Sequence, residues 1–321
     1  MKYLNLAIIG TGSISEEVLQ ALENHPEIKV KAIWGRNLAN VLRLQETHDI
    51  EYFYLDYEEL LKNKDIHCCY IATPNATHES FAQKAVESKK HVIVEKTAFP
   101  DIEIAKRTLL LAEEKGVFIF EAMRTIYEPN FTVLKKGLAQ IGEIYSVNLV
   151  YQNYSKQYAQ YKSNPNQLPP IFSDKRGQGV WKTIGIYPIY IALDIFGEPE
   201  DVSLHRYFAN SKIDFGGILI LTYPNFLISI FASKSHHDIS PINKIYGEYG
   251  TLSFKGCYNI TDIRLELIGE KSRDLIPHDD RKSIIYEFNF FAQSILNNNV
   301  SNYRKTKKTM LDAIQIIERL K

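Results

Sequence analysis

Apolar and polar positions in the first 122 residues predict short buried strands separated by helices. Residues 66–72 are almost continuously apolar, as expected of a strand that is buried on both faces. Segments of helical length follow the strands, beginning with residues 14–23 and 38–48. The predicted strands are residues 3–9, 29–34, 51–55, 66–72, 91–94 and 117–122. This alternation predicts an α/β fold with a doubly wound parallel sheet and right-handed crossovers.

The pattern changes near Met123, where alternating strands are joined mostly by short turns. Strands are predicted at residues 144–151, 217–222, 227–233, 244–249 and 263–268, and helices at residues 133–138, 184–196, 284–297 and 305–319. We therefore expect a first domain over residues 1–122 and an α+β domain with a mostly antiparallel sheet over residues 123–321. Residues 155–179 lack clear periodicity, which favours an active-site lid or a binding loop.

The charge balance and the cysteine pattern exclude several classes of function. The chain has 38 basic and 38 acidic residues without long runs of one sign, so we expect no binding to nucleic acid or to an anionic membrane. No apolar run approaches the roughly 20 residues that cross a bilayer, and a soluble cytoplasmic protein is expected. Three cysteines give neither a disulfide framework nor metal spacing, and His236-His237-Asp238 favours a polar loop over a metal site.

The turn after the first strand has the composition of a phosphate-binding turn. It reads Gly10-Thr11-Gly12-Ser13-Ile14, and Ser15 stands at the third glycine position of the usual pattern. The first glycine permits a tight turn, and the second lets the backbone approach a pyrophosphate at a helix N-terminus. An ordinary connection between strand and helix is the alternative. The strand before the turn and the helix after it favour dinucleotide binding.

Polar residues follow the fourth and fifth strands at the edge where open parallel sheets bind ligands. Thr73-Pro74-Asn75 and His78 come after the fourth strand, where Asn75 and His78 can hydrogen-bond a ribose or a nicotinamide amide. A simple helix start is the alternative for this segment. Glu95 and Lys96 end the fifth strand, and an ionisable pair facing a cleft is poorly explained by folding alone. A surface ion pair is the alternative for these two residues.

The end of the second strand bears on the choice of cofactor. An acidic residue there would bond the ribose 2′-hydroxyl and repel a 2′-phosphate, but Gly35 occupies that place and Arg36 follows. We therefore expect NADP to be preferred, with NAD possible. An exposed arginine without a ligand is the alternative.

These motifs resemble the Gfo/Idh/MocA oxidoreductases over essentially the whole chain, and most closely the branch that contains dimeric dihydrodiol dehydrogenases. The resemblance also rests on Glu121-Ala122 and on residues 177–187. It implies a Rossmann domain, a second domain that pairs with another subunit through its sheet, and Lys96 beside the nicotinamide. It further implies that Tyr187 holds the acid/base position. Thr183 stands where relatives carry aspartate, and Thr97 replaces the usual proline.

The resemblance implies an NAD(P)-dependent oxidoreductase that transfers a hydride between NADP(H) and a sugar, polyol, cyclic diol or related small carbonyl or alcohol substrate. Lys96 and Tyr187 would exchange a proton with the substrate oxygen, and Thr183 would contact the substrate. The alternative is a catalytically silent dinucleotide-binding sensor, because threonine cannot carry the charge of the missing aspartate. The presence of both Lys96 and Tyr187 favours the enzyme. A homodimer or larger homo-oligomer is expected.

Overall fold

The computed structural model describes residues 2–167, 169, 179–208, 213–238, 240–276 and 284–319. The chain forms two compact units. The first contains the described residues up to Ala122 together with Ile284–Ile314, and the second contains those from Met123 to Ile276 together with the residues from Gln315 on.

The first unit contains a six-stranded parallel sheet of order β3-β2-β1-β4-β5-β6. Its strands are β1 (Leu4–Ile9), β2 (Ile28–Trp34), β3 (Tyr52–Tyr54), β4 (Cys68–Ile71), β5 (His91–Glu95) and β6 (Ile119–Ala122). The helices between them are α1 (Ser13–Leu22), α2 (Leu38–Thr47), α3 (Tyr57–Lys62), α4 (His78–Glu87) and α5 (Ile102–Lys115). The order reverses between β1 and β4, so the loops after these strands flank the crevice where such sheets bind ligands. The predicted doubly wound sheet is confirmed.

Two C-terminal helices, α9 (Ile284–Leu296) and α10 (Val300–Arg319), follow the second sheet in sequence. The sequence-based division assigned both to the second domain, but α9 and most of α10 belong to the first unit. Phe291 stacks on Phe120 with ring centroids 4.9 Å apart, and Tyr303 stacks on Phe118 at 4.6 Å. These aromatic rings bury the apolar surface of β6 and of Phe118 just before it, which explains why the helices return to the first sheet.

The second unit contains an eight-stranded sheet of order β14-β13-β12-β11-β7-β10-β9-β8. Its strands are β7 (Ile144–Gln152), β8 (Asp201–Phe208), β9 (Asp214–Thr222), β10 (Leu227–Ser233), β11 (Ile242–Gly247), β12 (Gly250–Lys255), β13 (Thr261–Leu267) and β14 (Arg273–Asp274). All neighbours are antiparallel except β7 and β10, which run parallel in the middle of the sheet. The predicted mostly antiparallel sheet is confirmed, although β8, β12 and β14 were not predicted.

Helices α6 (Pro129–Leu138) and α8 (Ile186–Phe196) cover the inner face of this sheet. Leu149, Ile228 and Ile230 are fully or almost fully buried beneath them. Residues 155–179, predicted to be an irregular loop, contain helix α7 (Lys156–Ser163). Tyr161 of α7 packs against Phe215, with ring centroids 4.9 Å apart, and this contact anchors the helix on the second unit. Gly177, a residue of the predicted motif, lies outside the described residues.

Within the described residues, no helix combines the length and the apolar character needed to cross a membrane.

Candidate functional site

The turn after β1 has the geometry of a phosphate-binding turn. Gly10 has φ +128°, and a Cβ atom there would lie 2.6 Å from the carbonyl oxygen of Ala72, so only glycine fits. A Cβ atom on Gly12 would meet no described atom within 4 Å, which leaves its face open to a ligand. No described side chain caps the first turn of α1, so the N–H groups of Ser13 and Ile14 at the helix start are available to a phosphate.

A cavity of about 960 Å³ opens beside this turn. Of the predicted cofactor-binding residues, Gly10, Thr11, Gly12, Arg36, Thr73 and Pro74 line it. The lining also includes Gly35, which the sequence analysis placed at the cofactor-selecting position. It further includes residues that the sequence reasoning missed, namely Trp34, Asn37, Asn40, Ala72, Thr77 and Phe81. The side chain of Asn37 caps α2 by accepting a hydrogen bond from the backbone N–H of Asn40 at 3.0 Å, a helix-start signal that the sequence carried. The residues present therefore fit an extended phosphate-bearing cofactor such as a dinucleotide.

Gly35 and Arg36 form the corner of the cavity whose charge bears on the choice between NADP and NAD. Arg36 is exposed and makes no ion pair with any described residue. A Cβ atom on Gly35 would lie 2.7 Å from Thr11 Cγ2 and 2.8 Å from Val41 Cγ2. The close packing therefore excludes a larger side chain at residue 35 unless its neighbours move. The corner carries one basic group and has no space for an acidic one.

His78 lies behind the cavity wall, and both of its ring nitrogens face backbone. Its side chain is 0% exposed, Nδ1 lies 3.0 Å from the carbonyl oxygen of Thr97, and Nε2 lies 2.8 Å from that of Thr73. Burial lowers the pKa of His78, whereas the two carbonyls favour the protonated ring. The predicted direct contact of His78 with a cofactor does not match this geometry. The ring instead connects the loop after β4 to the loop after β5.

The end of β5 is held by two further hydrogen bonds. Tyr70 donates to Glu95 Oε1 at 2.6 Å, and the backbone N–H of Ala98 donates to Glu121 Oε1 at 2.7 Å. Glu121 and Tyr70 are both buried. Lys96 lies between these attachment points. Asn75, Glu95 and Lys96, like Ser13 and Ile14, are not among the described residues that line the cavity.

The predicted residues of the second unit lie on one helical segment. Thr183 belongs to a π-helical turn, Trp181–Gly185, which leads directly into α8 and Tyr187. Such turns occur often at functional sites. The hydroxyl of Thr183 donates to the carbonyl oxygen of Gly179 at 2.6 Å. Donation to the helix backbone leaves the lone pairs of the hydroxyl oxygen as its means of contacting a ligand.

Tyr187 lies in an aromatic cluster of the second unit. Its side chain is 5% exposed, and its ring makes edge contacts with Tyr151 at 5.7 Å and Tyr258 at 5.3 Å between centroids. The guanidinium of Arg124 lies 4.5 Å from the centroid of Tyr258. Burial raises the pKa of Tyr151, whereas Arg124 lowers it. The cluster fixes the plane of the Tyr187 ring.

A carboxylate that the sequence reasoning missed lies at the start of the same helix. Asp214, the first residue of β9, accepts a hydrogen bond from the backbone N–H of Val180 at 2.5 Å. Nothing in the sequence near Thr183 indicates this partner, because 31 positions separate Thr183 from Asp214.

His236 belongs to the cluster that was predicted to be a polar loop. Its Nδ1 atom lies 2.8 Å from Ser233 Oγ.

Comparison with known proteins identifies the class of this fold. The model of the GFO/IDH/MocA oxidoreductase family, NAD-binding Rossmann fold, matches residues 4–123, and that of the GFO/IDH/MocA C-terminal domain matches residues 136–253. Together they cover more than half of the chain. The scyllo-inositol 2-dehydrogenase (NADP(+)) IolU of Bacillus subtilis is 27% identical over 315 residues, 98% of this chain and 95% of that protein. A trans-1,2-dihydrobenzene-1,2-diol dehydrogenase of Macaca fascicularis is 24% identical over 85% of this chain and 80% of its own.

Solved structures share the same fold at low sequence identity. The 3-ketoreductase KijD10 of Actinomadura kijaniata, in complex with TDP-benzene and NADP, superposes with a TM-score of 0.83 at 22% identity, covering 97% of this chain and 95% of that one. Both units thus have counterparts in proteins of one architecture. The chain belongs to the GFO/IDH/MocA family of NAD(P)-dependent oxidoreductases.

Proposed function

We propose that the protein interconverts a secondary alcohol and the corresponding ketone of a sugar, a cyclic polyol or a cyclic diol, with NADP(H) as the cofactor. The cavity beside Gly10 and Gly12, with the basic corner at Arg36, is the observation that carries this proposal. The IolU protein, which is similar over nearly all of both chains, is named as an NADP(+) enzyme that acts on an inositol.

Residues of the first unit are proposed to bind the cofactor. The N–H groups at the start of α1 would hold the pyrophosphate, and Arg36 would pair with the 2′-phosphate. Asn37 and Asn40 lie in the cavity lining near Arg36 and add amide groups to that end. When bound, NADP accepts a hydride from the substrate carbon, or NADPH supplies one.

Lys96 and Tyr187 are proposed to move the proton that accompanies hydride transfer. The Nζ atom of Lys96 would hold the substrate oxygen and stabilise the negative charge that develops on it. The hydroxyl of Tyr187 would give a proton to that oxygen during reduction and take one during oxidation. Thr183 would accept a hydrogen bond from a neighbouring substrate hydroxyl. Because Lys96 and Tyr187 would contact the reacting oxygen and Thr183 a neighbouring hydroxyl, these contacts favour substrates that carry several hydroxyl groups.

The proposal is tested by absorbance at 340 nm with NADP and NAD over a panel of inositols, sugars and cyclic diols. We expect substrate-dependent formation of NADPH that is lost in Lys96→Met and retained in Lys106→Met, a matched change at an exposed lysine of α5. Arg36→Gln should weaken NADPH binding by about 10-fold or more and leave NADH binding unchanged, since a hydrogen bond to a charged group is worth about 1.5–3 kcal/mol.

Cofactor binding is measured separately, so that an absence of turnover can be distinguished from an absence of cofactor binding. Trp34 lines the cavity, and quenching of its fluorescence in a Trp181→Phe background reports NADPH binding without turnover. A protein that binds NADPH but oxidises none of the alcohols and reduces none of the matching ketones would contradict the proposed enzyme. That result would support the sensor.

We further propose that a second copy of the chain covers the outer face of the eight-stranded sheet. On that face Phe231 of β10 lies opposite Ile218 of β9 and Val150 of β7. Leu227, on the same side of β10, is 51% exposed, and Ile218 is 45% exposed. Three adjacent strands thus present an apolar stripe, which favours association through this sheet.

Sedimentation velocity tests the association. The unaltered chain should sediment as a dimer or a larger assembly, and Phe231→Glu should shift it to the monomer. Ile268→Glu introduces the same charge at a side chain that is 79% exposed just beyond β13 and should leave the assembly intact. A monomeric wild-type protein at micromolar concentration would contradict the proposal.

A further inference from the structure

We infer that Asp214 is a positioning residue that fixes the first turn of the helix carrying Thr183 and Tyr187. The inference rests on the proposed function in one respect, because it takes Tyr187 to act on the substrate. It concerns a residue of β9 that lies 27 positions from Tyr187 in the sequence and belongs to none of the motifs discussed above.

The carboxylate of Asp214 faces the first free N–H groups of the helix. It accepts a hydrogen bond from Val180 N at 2.5 Å, and the nearby backbone N–H of Trp181 also lowers its pKa. These are two of the donors that a helix start leaves without partners inside the helix. The acceptor comes from the neighbouring sheet rather than from the preceding residues of the same segment. The contact therefore ties the helix start to a defined point on the sheet.

The backbone of Gly179 makes this approach possible. Gly179 has φ +53°, and a Cβ atom on it would lie 2.7 Å from Asp214 Oδ1. Any other residue would push the carboxylate away from the N–H of Val180. The glycine of the motif and the aspartate of β9 are thus sterically matched.

Charge supports the same assignment. The π-helical turn carries Lys182 and no acidic residue among its described positions, so Asp214 supplies the negative charge that a helix N-terminus favours. Asp214 is 9% exposed, and burial raises the pKa of its carboxyl group, whereas the two backbone donors and Arg206 Nη1 at 3.8 Å lower it. A buried carboxylate is costly unless donors surround it, and these groups provide them.

Thr183 holds the same segment from the other side. Its hydroxyl donates to the carbonyl oxygen of Gly179 at 2.6 Å, while Asp214 accepts from the N–H of Val180. Both hydrogen bonds therefore act on the peptide unit that joins Gly179 to Val180. Tyr187 follows Val180 by seven residues, about 10 Å along a regular helix. Because the helix is continuous between these residues, a shift of its first turn would move the Tyr187 hydroxyl by about the same distance as the turn itself.

The test compares Asp214→Ala and Asp214→Asn with Asp201→Ala, a matched change at an exposed aspartate of β8. We expect Asp214→Ala to lower kcat by about 10-fold to 100-fold, because small misplacements of a catalytic group cost that much. Asp214→Asn keeps an oxygen acceptor and should restore most of the rate. NADPH affinity, measured by Trp34 fluorescence, should not change. In a Tyr187→Phe background, Asp214→Ala should cause no further loss of kcat.

Hydrogen exchange of the Val180 amide provides a readout that does not need turnover. Protection should be lost in Asp214→Ala and retained in Asp214→Asn and Asp201→Ala. Unchanged protection in Asp214→Ala would overturn the inference, and so would a loss of kcat that adds fully to that of Tyr187→Phe. If the wild type shows no turnover, the proposed function fails, and loss of protection in Asp214→Ala would still establish that Asp214 fixes the helix start.

Discussion

Nδ1 of His78 lies 3.0 Å from the carbonyl oxygen of Thr97, and this contact joins the loops that follow β4 and β5. The opposite nitrogen, Nε2, lies 2.8 Å from the carbonyl oxygen of Thr73, which borders the cavity. Burial lowers the pKa of the ring, and neutral imidazole has a single N–H, so the ring contacts both carbonyls and donates to one of them. One side chain thus couples the cavity wall to the residue that follows Lys96.

Removing this ring should loosen both loops. We expect His78→Ala to weaken NADPH binding by about 10-fold, since a buried carbonyl left without a donor costs about 1–3 kcal/mol. His78→Gln keeps a side-chain N–H donor and should recover part of the affinity. Fluorescence titration of Trp34 measures both. An affinity equal to that of the wild type in His78→Ala would show that the contact has no influence on the cavity.

An acidic residue at position 35 should not by itself change the cofactor preference. Because a Cβ atom there would lie 2.7 Å from Thr11 Cγ2 and 2.8 Å from Val41 Cγ2, Gly35→Asp should weaken the binding of both NADPH and NADH. Adding Thr11→Ser and Val41→Ala removes both methyl groups. The triple variant should bind NADH more tightly than NADPH, as separate titrations with the two nucleotides will show. A preference for NADH in Gly35→Asp alone would refute the steric argument.

The hydroxyl of Thr183 should contribute to substrate binding through the lone pairs of its oxygen and to stability through its hydrogen bond to Gly179. Thr183→Val keeps the shape and removes both the donor to Gly179 and the lone pairs, so we expect a higher substrate KM and a loss of about 1 kcal/mol in unfolding free energy. Thr183→Ser keeps the hydroxyl and should stay near wild type in both. Steady-state kinetics and urea unfolding measure the two effects. A loss of stability without any change in KM would restrict Thr183 to a structural role.

The stability of the first unit should fall in mild acid because of His91. Burial lowers the pKa of His91 to about 4, and its Nδ1 accepts from the backbone N–H of Phe118 at 3.0 Å. The unfolded chain binds this proton near pH 6.5, so the unfolded state gains protons first as pH falls. The free energy of unfolding should therefore decrease by about 2 kcal/mol between pH 7 and pH 5 from this group alone.

Urea unfolding followed by Trp34 fluorescence, with Trp181 replaced by phenylalanine, measures this dependence. His91→Asn keeps an acceptor for Phe118 and removes the titrating group, so the difference between pH 7 and pH 5 should shrink by about 2 kcal/mol. His67 and His78, whose pKa values burial also lowers, would still contribute in the variant. An undiminished difference in His91→Asn would exclude His91 as a source.

The local pattern of the sequence was sufficient for the first sheet. Residues 66–72 could be assigned because a strand buried on both faces is apolar at almost every position, and the observed β4, Cys68–Ile71, lies within them. The second sheet was less predictable. β8 was missed, and its positions alternate between exposed and partly buried, so its apolar signal is weak. Helix α7 was missed because only Tyr161 among its residues is buried.

The sequence by itself determined the parallel sheet, the glycine turn and the family of this protein, because each was recognised from patterns and motifs that lie within short segments of the chain. The tertiary structure alone decided the contacts between distant segments. It placed Phe291 and Tyr303 on β6, brought Asp214 to the N–H of Val180, and placed the ring of His78 against the carbonyl of Thr97. The physical reason is that periodicity reports which face of an element is buried, whereas the identity of its partner depends on how the whole chain packs.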